Sequence, residues 1–164
     1  MKKFLKTMFV SALIILQLFP LYSFASEVKE EQLQDVIMSE EEFNRILEMN
    51  TAEDTEVKAT GLITDKRIAI TRENNALKIA GRISCSTDVI KCGFKEVVVQ
   101  RCPNGTSAWS DVVTETDIYA DSNKHSLSKQ IAANPNFQYR VKCTFYAKKN
   151  IFSTQTIIGY SNII

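Results

Sequence analysis

The stretch FQYRVKCTFYA, residues 137–147, alternates strictly. Phe137, Tyr139, Val141, Cys143 and Phe145 fall on one parity, and Gln138, Arg140 and Lys142 on the other. Successive side chains of a strand point to opposite faces, so one parity is a core stripe and the other a wet, basic one. Six more short runs alternate in this way: RIAIT (67–71), ALKIAGRISC (76–85), FKEVVVQRC (94–102), AWSDVVT (108–114), HSLSKQI (125–131) and TIIGYSN (156–162). The turn-rich stretches ENN, STDVIKCG, PNGTS, ETDIYADSNK, AANPN and KKNIFSTQ separate them. This spacing predicts an all-β fold, a seven-stranded antiparallel β-sandwich over 61–164.

Parity also assigns the core. Leu77, Ile79, Ile83 and Cys85 share the inward face with Gly81 between them, Val97 and Val99 point in, and Phe94 caps the entry. Asn104-Gly105 supplies two residues tolerant of positive φ for a tight hairpin ending in the strand that bears Trp109. Asn104-Gly105-Thr106 also matches a glycosylation sequon, which the hairpin turn explains.

Ahead of the sandwich the chain changes character. Lys2, Lys3 and Lys6 precede an apolar run from Phe9 to Phe19, and Ser23-Phe24-Ala25 offers small residues at the positions a signal peptidase reads. This predicts a signal peptide over 1–25, cleavage after Ala25, and a secreted or cell-surface product with no transmembrane span in its mature form. Segment 26–60 carries eleven acidic and three basic residues, net −8. From 61 onward fourteen Lys and Arg stand against eight Asp and Glu, net +6. Within the acidic extension, Ser39 and Glu42 have capping-box spacing and Met38 and Phe43 stand at the staple positions. A short helix is expected over 40–49, its narrow apolar face being Phe43, Ile46 and Leu47. The extension is read either as a stalk or as an arm that masks a basic face.

FQYRVKCTFYA after the NPN turn resembles the sixth strand of fibronectin type III and immunoglobulin-like sandwiches, and VVVQRCPNGTSAW resembles their third strand, hairpin and fourth strand. The resemblance implies that the Tyr139 hydroxyl bonds back across the preceding corner. There are departures: no Trp stands on 76–85 or 94–102, and Tyr139 lies four residues before Cys143. The whole chain is also similar to small exported proteins of gut clostridia, a family of unknown function. These resemblances imply a fold and a compartment and no activity.

The cysteines Cys85, Cys92, Cys102 and Cys143 are disulfide candidates in an exported chain. Cys92 and Cys102 bracket one strand, roughly 30 Å apart when extended, which no disulfide spans. Cys85–Cys92 closes the loop CSTDVIKC and is favoured; Cys85–Cys143, both inward by parity, is the alternative, and Cys102 has no assigned partner. Intervals of six, nine and forty residues, with one histidine in the chain, do not suit a zinc site, and no cofactor is expected. His125 reads as a solvated strand-edge residue, and Glu115 and Asp117 in TETD as part of a solvated loop, so no catalytic set emerges. Lys78, Arg82, Lys95, Arg140 and Lys142, with Lys148 and Lys149 in the last hairpin, form a candidate basic face. No stacking aromatics interleave with them, so nucleic acid is not expected. An anionic surface, a wall polymer or an acidic protein is. The expected function is a secreted non-enzymatic interaction module acting through loops or that face, the alternative being a toxin-like or antimicrobial product masked by its acidic segment.

Overall fold

The computed structural model describes residues 32–50 and 61–164. The expected signal peptide, the start of the acidic extension and the linker over 51–60 lie outside the described residues. The elements run β1 (Gln34–Asp35), α1 (Glu40–Glu48), β2 (Ile63–Glu73), β3 (Ala76–Cys85), β4 (Lys91–Pro103), β5 (Ser110–Ala120), β6 (Lys124–Ala132), β7 (Phe137–Asn150) and β8 (Ser153–Tyr160). They make two four-stranded antiparallel sheets: sheet A in the order β1-β6-β3-β2, and sheet B in the order β5-β4-β7-β8. The fold is thus all-β and sandwich-like, with eight strands rather than the expected seven. The additional strand, β1, comes from the acidic extension and pairs Gln34 with Gln130 and Asp35 with Lys129.

The inward parity forms one core. Leu77, Ile79 and Ile83 from sheet A meet Phe94, Val97, Val99, Tyr139, Val141, Cys143 and Phe145 from sheet B, all essentially excluded from water. Phe94 does not cap the entry as expected but sits in the middle, its ring 5.6 Å from that of Phe145. Gly81 makes room for it: a Cβ there would stand 3.0 Å from the Phe94 ring and from Ile68. Each large apolar side chain so buried contributes about 1.5–3 kcal/mol.

Three expectations need correcting. The hairpin at Pro103–Thr106 closes through Thr106 N–H to Pro103 O at 3.1 Å, and only Gly105 takes positive φ. Asn104 instead donates its side-chain amide to Pro135 O at 3.3 Å. Trp109 lies in the loop before β5, not on it. The polar stretch expected as a turn, ETDIYA, continues β5 to Ala120 as an edge strand. Its periodicity is broken by Asp117, which takes φ 61° where Lys95 and Asp117 drop out of register together.

The helix forms where the capping residues place it. Ser39 Oγ accepts from Glu42 N–H at 3.1 Å, but the Glu42 carboxylate reaches Lys78 on β3 instead of turning back to Ser39. A nine-residue helix is marginal alone. Here Phe43, Ile46 and Leu47 pack on Ala69 and Ala80, cross-strand partners on the outer side of sheet A. The exposed edge of β2 is closed by side-chain amides: Asn162 bonds Ile70 N–H and O at 3.0 and 2.8 Å, and Asn50 bonds Ile68 O at 2.7 Å. Such capping denies the edge to a foreign strand.

Candidate anion-binding face

The seven candidate basic residues do not share one face. Lys78 and Arg82 lie on the outer side of sheet A, beneath α1. Lys78 Nζ contacts Glu42 at 2.5 Å and Glu73 at 2.7 Å, with its side chain 22% exposed. The hydrogen bonds to Glu42 and then Glu73 hold its ammonium above the ordinary lysine range. Arg82 Nη2 donates to Asn44 Oδ1 at 2.8 Å and its guanidinium lies 5.1 Å over the Phe43 ring. The acidic helix therefore neutralises and covers this part of the expected patch. Lys149 belongs to the β7–β8 hairpin, where it pairs with Asp88 at 2.5 Å; the bond to Lys149, joined by one from Ser86, holds the Asp88 carboxyl below the usual range.

The remaining four stand on the outer side of sheet B. Arg140, Lys142 and Lys148 occupy outward positions of β7, and Lys95 is exposed at the β4 bulge. Arg140 is fixed: its Nε donates to Gln100 Oε1 at 2.8 Å, and its guanidinium lies 4.3 Å from the Trp109 ring and 5.0 Å from the Tyr160 ring. An arginine stacked between two aromatic rings is a preorganised, flat, cationic contact surface. Lys142 stands directly across from Tyr160 on β8 and Val98 on β4, so it extends the clamp along the sheet. Beside Lys95 an open recess of about 340 Å³ is lined by Lys95, Glu96, Thr116, Asp117 and Thr144. Its charge is mixed, so the cationic character of the face lies with Arg140, Lys142 and Lys148. Sequence parity missed the aromatic clamp, because Trp109 is in a loop and its partner Tyr160 is on another strand.

Glu115, Asp117 and His125, the other titratable residues singled out in the sequence, lie apart from one another. Glu115 faces inward on β5 and accepts from Lys129 Nζ at 2.6 Å, and Lys129 also meets Asp35 at 3.0 Å. Burial pulls the Lys129 ammonium down, but these two carboxylates outweigh it and hold the pKa above the ordinary value. Asp117 lines the outer recess. The two TETD carboxylates thus serve opposite sides of the sheet, and Glu115 is no part of a solvated loop. His125 is not a solvated edge residue either: its ring lies 5.7 Å from Phe94, its Nε2 is buried without a partner, and burial lowers its pKa.

All four cysteines are buried thiols. Cys85 and Cys92 are in hydrogen-bonding contact, and burial together with Cys92 pushes the Cys85 thiol up to about 12. Cys143, opposite Val97 on β4, is raised further by burial. Cys102 lies at the far end of β4 against Thr106, its Sγ 3.1 Å from the hydroxyl. With their pKa raised by burial, the Cys85, Cys92 and Cys143 thiols are poor nucleophiles. No cluster of three or more His, Cys, Asp or Glu that could hold a metal ion occurs among the described residues. No helix among them is long and apolar enough to cross a membrane.

The chain matches no protein-family model and no curated protein. Among solved structures it has a likeness to a superoxide reductase in the oxidized state, at a TM-score of 0.36 and 11% identity, over 62% of this chain and 90% of that one. A likeness at that level carries no inference about this chain.

Proposed function

We propose that this chain is an exported, non-enzymatic binding module of the fibronectin type III or immunoglobulin-like kind, which docks on an anionic surface through the outer side of sheet B. Two features support the sandwich type. The strand order β5-β4-β7-β8 faces β6-β3-β2, and the Tyr139 hydroxyl accepts from the backbone N–H of Asn134 across the β6–β7 corner. The signal-like segment 1–25 supports export. The observation that carries the binding reading is the asymmetry between the sheets. On sheet A, Lys78 and Arg82 are covered by α1 through Glu42 and Asn44, and Arg67 stands beside Asp65, while sheet B keeps Lys142, Lys148 and the Trp109–Arg140–Tyr160 clamp outward. Trp, Tyr and Arg are the side chains that most often dominate binding surfaces.

The test is retention of the protein on an immobilised anionic polymer across a salt gradient. Retention at low salt that is lost as the Debye length falls from about 10 Å at 0.1 M toward about 3 Å at 1 M supports the reading. Passage with the unretained fraction at low salt contradicts it.

A further inference from the structure

One end of the sandwich carries an apolar tip with a cationic collar. The β7–β8 hairpin turns through Ile151 and Phe152, which are 75% and 92% exposed. The turn is closed by hydrogen bonding: Asn150 pairs with Ser153 across it, and Phe152 N–H donates to Asn150 Oδ1 at 2.9 Å. Ile90, 57% exposed, stands beside the stem, its N–H bonded to Lys148 O at 2.9 Å. A hairpin gains nothing for folding by presenting Ile-Phe to water; polar turn residues would close it as well.

The charges behind the tip point the same way. Lys91 and Lys148 are direct cross-strand partners, and like charges so placed disfavour the sheet. The Lys91 ammonium lies 4.9 Å over the Tyr119 ring, and Lys148 has no acidic partner among the described residues. The Tyr119 and Tyr146 rings meet at 5.2 Å, tilted by 54°, on the same side of the sheet, both across from Gly93. In order from the end inward, the chain thus presents bare aliphatic and aromatic side chains, then lysines, then tyrosines.

We infer that this end is a membrane-docking tip, in which Ile151 and Phe152 enter the headgroup–acyl boundary of an anionic lipid layer while Lys91 and Lys148 meet its phosphates. The inference rests on the anionic-surface reading above and names that surface as lipid. A convex two-residue tip offers too little area for a stable protein interface of about 1,200–2,000 Å². A bilayer takes in apolar side chains singly and rewards lysines at its surface, and tyrosine rings favour its headgroup region.

The experiment uses protein beginning at Ser26, which contains the whole compact unit Glu31–Ile164. It is sedimented with phosphatidylglycerol vesicles and with phosphatidylcholine vesicles, and applied separately to the soluble anionic polymer. Phosphatidylglycerol vesicles should carry it down and phosphatidylcholine vesicles should not. Phe152→Ser, at a position too exposed to disturb the fold, should lower partitioning by about tenfold, the worth of burying one large apolar side chain. In a Phe152→Trp protein, read against the wild type whose single Trp is Trp109, emission should shift to the blue on adding phosphatidylglycerol vesicles. Vesicle binding with unshifted emission, or undiminished by Phe152→Ser, overturns the tip. Binding to the polymer with none to either vesicle also overturns it and leaves the sheet B reading standing. Binding to neither overturns both.

Discussion

The Tyr139 hydroxyl, at the buried start of β7, accepts the backbone N–H of Asn134 at 3.1 Å and so ties the β6–β7 corner to the core. The Arg72 guanidinium lies 5.4 Å over the same ring and donates to Phe137 O at 2.7 Å. Tyr139→Phe keeps the ring and its packing but leaves the Asn134 N–H unpaired. A loss of about 1–3 kcal/mol is expected, read as a lower urea midpoint with an unchanged m-value. An unchanged midpoint means that water replaces the bond and the corner is not held by it.

Val141 and Lys142 are neighbours on opposite sides of sheet B, Val141 fully buried and Lys142 partly exposed. Val141→Asp puts an unpaired carboxylate into an apolar site and should unfold the protein, seen as loss of near-ultraviolet dichroism. Lys142→Asp should change stability by only about 0.5 kcal/mol. Equal effects would place both residues at the same depth and contradict the assigned faces.

These predictions rest on features legible in the sequence. Strict alternation in β3 and β7 exposes the core face, Ser39 marks the start of α1, and Tyr139 stands where a corner-closing hydroxyl is needed. Less legible were features that depend on distant partners. The seat of α1 is two small residues, Ala69 and Ala80, whose meaning appears only once the strands are paired. β1 is two polar residues whose strand character comes from pairing with β6 alone. In β5 the positive φ of Asp117 breaks the period and hides a strand inside what reads as a loop. The candidate face was half legible, because parity places Arg140 and Lys142 outward but is silent on the helix that covers Lys78 and Arg82.

His125 gives the protein an acid-sensitive point. Burial lowers its pKa from the ordinary 6.5, and Nε2 has no partner to receive an added proton's bond. Below the unfolded value the unfolded chain takes up the proton first, so stability is full above about pH 6.5 and falls as pH drops toward the folded pKa. His125→Gln should flatten this part of the profile in urea melts across that range. A wild-type profile already flat there contradicts burial of the neutral ring.

Cys85 and Cys92 are close enough to share a hydrogen bond, whereas Cys102 lies at the opposite end of β4 and Cys143 opposite Val97. Folding under oxidising conditions should link Cys85 to Cys92, each thiol giving up its hydrogen to a disulfide oxidant, and leave Cys102 and Cys143 free. The bridge should add about 2–3 kcal/mol if unstrained. Peptide mapping without reduction decides the matter: a Cys85–Cys143 peptide contradicts the prediction.

The central claim is that sheet B, and not sheet A, meets the anionic surface. Lys142→Glu on sheet B and Arg67→Glu on sheet A change net charge equally, and Arg67, exposed on β2, pairs only loosely with Asp65 at 3.8 Å. The most direct measurement is the salt concentration at which each variant elutes from an anionic polymer, beside the wild type. The expected result is a marked fall for Lys142→Glu and a small one for Arg67→Glu. Equal falls would show attraction by net charge alone, and a larger fall for Arg67→Glu would put the contact on the face that α1 covers; either contradicts the account.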